Sequence, residues 1–126
     1  MSEDITTLAE LKSQSQGKSL VILDIWANWC PPCRNMLPIF KDLKREFSNP
    51  PTSFKNQANY DKSKNYQPVH FLKADTDVAN DINDKYKVTA VPTFVIIKDG
   101  DIDNPVQRFV GGQTFKFIKD ALISHM

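Results

Sequence analysis

The sequence is short of cysteine, of net charge and of long apolar runs, and each shortage excludes a class of protein. Its two cysteines cannot build the disulfide framework that supports many small secreted domains. Its 16 basic residues balance 15 acidic ones, which leaves no charge excess to attract nucleic acid or an anionic membrane. We therefore expect neither nucleic acid nor a membrane as a partner.

No apolar stretch approaches the roughly 18 residues of a membrane span, and the N-terminus lacks the apolar core of a secretion signal. We therefore expect a cytoplasmic protein. A chain of 126 residues has the size of one domain, and we expect residues 1–126 to form a single one. A monomer is the default expectation, because nothing in the sequence indicates an oligomer.

What the chain does have is one Cys-x-x-Cys motif, Cys30-Pro31-Pro32-Cys33, which holds both cysteines. At the start of a helix this spacing brings two sulfur atoms close enough to form a disulfide. Cys30 then lies where unpaired N–H groups and the helix dipole favour a thiolate. The two prolines have no N–H, so the amide of Cys33 is the first that can reach the Cys30 sulfur. The pattern predicts Cys30 as the nucleophile and Cys33 as the thiol that resolves a mixed disulfide.

An acidic residue interrupts the apolar segment before this motif. Residues 19–26 are almost continuously apolar, which is typical of a central strand covered on both faces. Asp24 lies inside this segment, and a buried carboxylate is costly unless it is paired or protonated. It could be a polar residue at a fraying strand end. We favour a buried acid with a raised pKa that exchanges protons with Cys33, because the motif begins six residues later.

The remaining pattern predicts an α/β fold in which a central mixed β-sheet is sandwiched by helices. A first helix is expected from the cap at Thr7 to the break at Gly17. A second helix is expected from Pro31 to about residue 47. The later segments are expected to be a strand, a helix, two strands joined by a tight hairpin at Asp99-Gly100, and a final helix, at residues 69–74, 75–86, 93–98, 106–110 and 114–124.

Three further features leave alternatives open. Residues 48–68 are polar and show no period, so we expect a long loop, and we favour disorder over docking of its aromatic side chains. His70 is interpreted as a packed strand residue rather than a ligand or a base. Lys73 is a second charge in a predicted strand, and it either pairs with Asp24 or lies at the exposed end of its strand.

Several segments together resemble the thioredoxin family. They are residues 24–33, Pro38, residues 73–75, 91–94, 99–100 and 110–112. The likeness extends from about residue 17 to the end of the chain, except for the predicted loop. The Trp-Cys-Pro-Pro-Cys sequence also resembles the tryparedoxin and nucleoredoxin branch, but the short chain and the stretch at 73–77 favour thioredoxin.

The resemblance implies a role for each matching position. Cys30 would be the attacking thiol, Cys33 the resolving thiol, and Asp24 with Lys73 the buried pair that tunes proton transfer. The peptide bond between Val91 and Pro92 would be cis. The shallow substrate-binding surface around Cys30 would be formed by Trp29, Pro31, Val91, Pro92 and Gly111, and the Val91 backbone could hydrogen-bond an extended substrate segment.

The implied activity is that of a protein-disulfide reductase that is recharged by thioredoxin reductase and NADPH and needs no bound cofactor or metal. The family usually has Gly-Pro between its cysteines, so Pro31-Pro32 leaves the redox potential open. The N-terminus is short for the family's full first strand. Three alternatives remain: an oxidase or isomerase, a binding module with secondary thiol chemistry, and a zinc site that would add His70 and His125 to the cysteines.

Overall fold

The computed structural model describes residues 4–47, 61, 63 and 66–126. Within them the chain forms four helices and four strands, in the order helix, strand, helix, strand, helix, strand, strand, helix. The elements are α1 (Leu8–Ser15), β1 (Leu20–Trp26), α2 (Pro31–Glu46), β2 (Val69–Asp75), α3 (Asn80–Tyr86), β3 (Thr93–Lys98), β4 (Gln107–Val110) and α4 (Phe115–Ser124). This order confirms the predicted fold class.

The four strands form one mixed sheet in the order β2-β1-β3-β4. Strand β1 pairs in parallel with β2 and antiparallel with β3, and β4 pairs antiparallel with β3. Because β1 has a partner on each edge and a helical layer on each face, six of its seven residues are buried. Burial on both faces therefore explains the continuous apolar run that predicted a central strand.

The two faces of the sheet carry two separate hydrophobic cores. Leu20 and Ile22 of β1 belong to the core that includes α2 and α4, whereas Val21, Leu23 and Ile25 belong to the core that includes α1 and α3. Side chains alternate along a strand, so Asp24 points to the same side as Leu20 and Ile22. The acid and the helix that carries the cysteines therefore share one face of the sheet.

The N-terminal segment contributes very little to the sheet. Thr7 caps α1 by accepting a hydrogen bond from the Glu10 amide, as predicted. Among the described residues before α1, one isolated parallel bridge joins Ile5 to Ala74. In the described residues no full strand forms before α1, as expected, and the outer edge of β2 is paired only at this point.

The predicted start of α3 was wrong. Asp75, Thr76 and Asp77 do not begin a helix, because Asp75 ends β2 and the helix begins only at Asn80. The Thr76 N–H continues the sheet by donating to the carbonyl of Trp26, and the Asp75 carboxylate accepts the Asp77 N–H. These residues often begin a helix, but here they form a turn that is closed by a hydrogen bond to the Asp75 side chain.

The connection from β3 to β4 also differs from the tight hairpin that was expected. Asp99 and Gly100 both have positive φ, and the Asp101 N–H donates to the Lys98 carbonyl, so the predicted turn exists. A second turn follows, in which the Asp101 carboxylate accepts from Asn104, and β4 begins only at Gln107.

The predicted loop at residues 48–68 lies largely outside the described residues. Of its aromatic side chains, the structure describes Tyr66, which is buried in the core on the α2 side of the sheet. Its hydroxyl accepts a hydrogen bond from the Asp61 N–H at 3.0 Å. For this aromatic residue, packing in the core replaces the disorder that we favoured.

Candidate active site

Both cysteines lie where β1 leads into α2. Cys30 is the N-cap of α2, with extended backbone angles of φ −93° and ψ 114°, and the helix starts at Pro31. This geometry follows from the sequence, because a residue before proline avoids the helical region and proline suits the first helical position. Cys33 lies in the first turn. The two cysteines are free thiols, and their Sγ atoms are 2.6 Å apart.

The Cys30 sulfur is held by two main-chain groups. The Cys33 N–H donates to Cys30 Sγ at 3.3 Å, which confirms the donor predicted from the two prolines. On its other side, Cys30 Sγ donates to the carbonyl oxygen of Val91 at 3.6 Å. Cys30 is 4% exposed, so a small part of it reaches the surface.

Cys33 has a different environment. It is fully buried, at 0% exposure, and it packs with Ala27 and Cys30 in a small cluster that Trp26 and Val91 cover. Burial raises the pKa of the Cys33 thiol well above its usual range, and the hydrogen bond to Cys30 adds to this effect. The negative charge of Asp24 raises this pKa further. Cys33 therefore stays protonated until a base removes its proton.

Asp24 is the buried acid that the sequence predicted. It is 1% exposed, and in the part of the chain that the structure describes its Oδ1 atom has no hydrogen-bond partner. Desolvation by burial raises the pKa of Asp24 from 3.8 to about 7, although Lys73 opposes the shift. The charge of Asp4 acts in the same direction as burial. An acid with this pKa can hold or release a proton near neutral pH.

Lys73 lies directly opposite Asp24 in the register of β1 and β2, but the two do not form the buried ion pair that was expected. Lys73 is only half-buried, and its Nζ lies 3.8 Å from the centroid of the Trp26 ring. No salt bridge within 4.0 Å joins it to Asp24 among the ion pairs of the described residues. The positive charge acts on Asp24 through space, and the aromatic ring holds it in place.

The predicted substrate-binding residues come together around Cys30. Trp29 is 66% exposed, and its indole N–H donates to the Asp77 carboxylate at 2.8 Å. The Val91–Pro92 peptide bond is cis, as expected, and the Gly111 N–H donates to the Pro92 carbonyl at 2.8 Å. Gly111 has a φ of +94°, a conformation that favours glycine.

These residues differ in how much surface they offer. Pro31 is exposed, and Val91 and Gly111 are partly exposed. Pro92 is buried, so it shapes the backbone beneath the surface instead of offering its ring to a substrate. The Val91 carbonyl is already occupied by the Cys30 thiol.

Three residues of this region were not predicted from the sequence. Asp77 positions Trp29, Trp26 packs against the cysteines, and Asp4 accepts a hydrogen bond from the Trp26 indole N–H at 2.6 Å. Asp77 was interpreted as part of a helix start, and Trp26 as the end of a strand. No local pattern indicates Asp4, because its partner is 22 residues away along the chain.

The two histidines of the zinc hypothesis lie in other environments. His70 Nε2 is 3.3 Å from the Gln14 side-chain oxygen, and His125 Nε2 is 2.8 Å from that of Gln107. His70 is half-buried instead of packed in the core. In the described ranges, no three His, Cys, Asp or Glu side chains come together to hold a metal ion. The helices in these ranges are too short or too polar to span a bilayer.

Two free cysteines at a strand-to-helix junction, on a mixed sheet with a buried acid beneath them, define the class of thiol–disulfide oxidoreductases. The thioredoxin family model matches residues 5–124, which is nearly the whole chain. The chain therefore belongs to the thioredoxin family.

Individual relatives agree with this assignment. Thioredoxin H5 of Arabidopsis thaliana is 31% identical over 116 residues, which are 92% of this chain and 79% of that protein. Thioredoxin H3 of the same plant is 34% identical over 97 residues, or 77% of this chain, and the match spans 66% of that protein, just under two thirds. The solved structure of Fasciola hepatica thioredoxin gives a TM-score of 0.70 at 30% identity and covers 99% of this chain and 100% of that one.

Proposed function

We propose that this chain reduces protein disulfides through a dithiol–disulfide cycle between Cys30 and Cys33. The observation that carries the proposal is the difference between the two thiols. Cys30 accepts a main-chain N–H at the start of α2 and is in part accessible, whereas Cys33 is fully buried. One thiol is placed to meet a substrate, and the other is placed to act only after the first has reacted.

In the first step the Cys30 thiolate attacks one sulfur of a substrate disulfide. A new bond forms between Cys30 Sγ and that sulfur, the substrate disulfide breaks, and the second substrate sulfur leaves as a thiolate that takes up a proton. The exposed ring of Trp29 and the backbone around Val91 and Gly111 provide the surface against which the substrate segment lies. An extended segment suits such a shallow surface.

In the second step Cys33 resolves the mixed disulfide. The ionised Asp24 carboxylate accepts the Cys33 proton, and the resulting thiolate attacks Cys30 Sγ. The bond between Cys30 and the substrate breaks, and the second substrate sulfur leaves as a thiolate that takes up a proton. The products are a reduced substrate and a Cys30–Cys33 disulfide. Asp24 suits this role because it has a pKa of about 7 and lies close enough for its charge to raise the pKa of Cys33.

The oxidised form must then receive two electrons to start again. We propose an NADPH-linked thioredoxin reductase as the donor, by analogy with the family, and a reducing compartment such as the cytoplasm as the location. The substrates in this proposal are proteins with accessible disulfides. No bound organic cofactor is required, because both electrons pass through the two sulfur atoms.

The midpoint potential of the Cys30/Cys33 couple, together with turnover on a disulfide-bonded test protein, tests this function. We expect a potential near the value of about −270 mV that applies to a thioredoxin, together with reduction driven by NADPH and a thioredoxin reductase. A potential near the value of about −180 mV that applies to protein disulfide isomerase would contradict the reductase and support an oxidant or isomerase. Partner binding without any turnover would support a binding module instead.

A further inference from the structure

We propose that the Asp4 carboxylate, held in place by the Trp26 indole N–H, acts through its charge on the acid Asp24 and thereby sets the pH range in which Cys33 can be deprotonated. The link between Asp4 and deprotonation of Cys33 in catalysis rests on the proposed function. It assigns a role to the segment that precedes α1, which otherwise makes only one bridge to the sheet in the described residues.

The backbone holds Asp4 in place beside β2. The next residue, Ile5, donates its N–H to the carbonyl of Lys73 at 2.9 Å and forms the isolated bridge to Ala74. Ile5 is also buried in the core on the α1 side of the sheet. Because Ile5 is fixed by a hydrogen bond and by packing, Asp4 is held beside Lys73. The charge of Lys73 opposes the rise in the pKa of Asp24.

The Trp26 side chain connects Asp4 to the active site. Its indole N–H donates to Asp4 Oδ2 at 2.6 Å, and its ring face lies 3.8 Å from Lys73 Nζ. The same ring packs against the buried cluster of Cys30 and Cys33. Asp4 thus fixes the orientation of the Trp26 ring. Lys73 Nζ lies over this ring, and Trp26 packs against Cys30 and Cys33.

Two charged groups and one thiol surround Asp24, and they lie on three elements of the fold. Lys73 on β2 favours the ionised form, while Asp4 on the N-terminal segment favours the protonated form. On α2, Cys33 is an uncharged thiol whose pKa Asp24 itself raises. The β3 residue paired with Asp24 is Phe94, which has no charge. Asp4 is therefore the group that partly cancels Lys73, and this cancellation keeps Asp24 protonated closer to neutral pH.

The test is an Asp4→Asn substitution, which keeps an oxygen acceptor for the Trp26 indole and removes the charge. The Asp24 carboxyl carbon is titrated by NMR in the reduced protein. We expect its midpoint to fall by about half a pH unit or more, because the variant removes a negative charge that favours the protonated form of the buried acid. The pH profile for resolution of a mixed disulfide should shift in the same direction.

The matched control is Asp77→Asn. Asp77 also accepts a tryptophan indole N–H, but it is not among the groups that shift the pKa of Asp24. We expect its Asp24 titration to equal that of the parent. If Asp4→Asn left the Asp24 midpoint unchanged, or if both variants moved it equally, the proposal would be overturned.

A measurement on the parent protein keeps the proposal testable if the variant does not fold. The Trp26 indole N–H resonance should shift with the midpoint of Asp24, since Asp4 and Lys73 both contact Trp26 and their charges both act on Asp24. If the Trp26 indole N–H chemical shift did not change as Asp24 is titrated, the proposal would be overturned. Failure of the proposed function would look different, since the parent would then lack reductase turnover while the Asp24 midpoint still responded to Asp4→Asn.

Discussion

The two sides of the Cys-x-x-Cys motif differ sharply although they lie only three residues apart. On the outer side, Trp29 is 66% exposed and Cys30 meets the backbone of Val91. On the inner side, Cys33 is fully buried, and the charge of Asp24 raises its pKa. One oxygen of this acid accepts no hydrogen bond from the residues that the structure describes. In the proposed cycle the outer side would bind the substrate and the inner side would control a proton, so the two tasks would be separated within one helical turn.

A strand-to-helix junction makes this separation possible. Cys30 is the N-cap and faces the surface, whereas Cys33 is three residues on, at a position of α2 that is buried against the sheet. The same alternation along β1 that places Leu20 and Ile22 under α2 also places Asp24 there. Changes on the inner side should therefore affect stability and proton transfer, while changes on the outer side should affect substrate binding.

The largest effect is expected from Asp24→Asn on the inner side. The pKa of Asp24 is about 7 in the folded protein and close to 3.8 when the chain is unfolded, so the folded state binds the proton more tightly. The parent therefore loses stability as the pH rises from about 4 to 7, by roughly 4 kcal/mol for a shift of about three units. The variant cannot lose stability in this way. Its free energy of unfolding relative to that of the parent should therefore increase from about pH 4 to 7 and stay constant above about pH 7.

Chemical denaturation at a series of pH values measures this difference. The matched control is Asp120→Asn on the surface of α4, where the carboxylate pairs with Lys116 at 2.6 Å. We expect this control to change the free energy of unfolding by less than about 0.5 kcal/mol at every pH. The same Asp24→Asn variant should resolve a mixed disulfide more slowly near neutral pH. A stability difference that stays flat from pH 4 to 7 would contradict the assignment of Asp24 as a buried acid.

The smaller effect is expected from Trp29→Ala on the outer side. Removing an exposed ring costs little stability, but we expect KM for a protein disulfide to rise about fivefold, which corresponds to roughly 1 kcal/mol of binding, while kcat stays the same. Val106→Ala is the control, since Val106 is also an exposed apolar residue but lies next to β4 at the end away from the cysteines. A fall in kcat with no change in KM would assign Trp29 to the chemistry instead.

The sequence predicted most strongly where a local pattern and a local structure coincide. Cys30, Cys33 and the missing proline N–H groups define the start of α2, and Asp24 stands out because one charge interrupts an apolar strand. Lys73 was only half predicted. Its place in a strand beside Asp24 fits one of the two expectations, but its attachment to the Trp26 ring depends on the tertiary fold. Asp4 carries no signal at all, because its contact joins two segments that are distant along the chain.

The errors have a shared physical cause. Asp75, Thr76 and Asp77 suit a helix start, but the Thr76 N–H bonds to the end of β1 and the Asp77 carboxylate is taken by Trp29. Tyr66 lies in a polar segment, yet it finds space in the core beside α2. In each case a partner elsewhere in the fold decided between two locally acceptable structures.

The central claim, that Cys30 attacks and Cys33 resolves, is tested most directly by exchanging each cysteine for serine and presenting a disulfide-bonded protein. Cys33→Ser should accumulate a covalent complex through Cys30 that dithiothreitol releases, because the first step proceeds and the second cannot. Cys30→Ser should form no such complex, because the remaining thiol is fully buried. A covalent complex that forms equally well with Cys30→Ser would contradict the account.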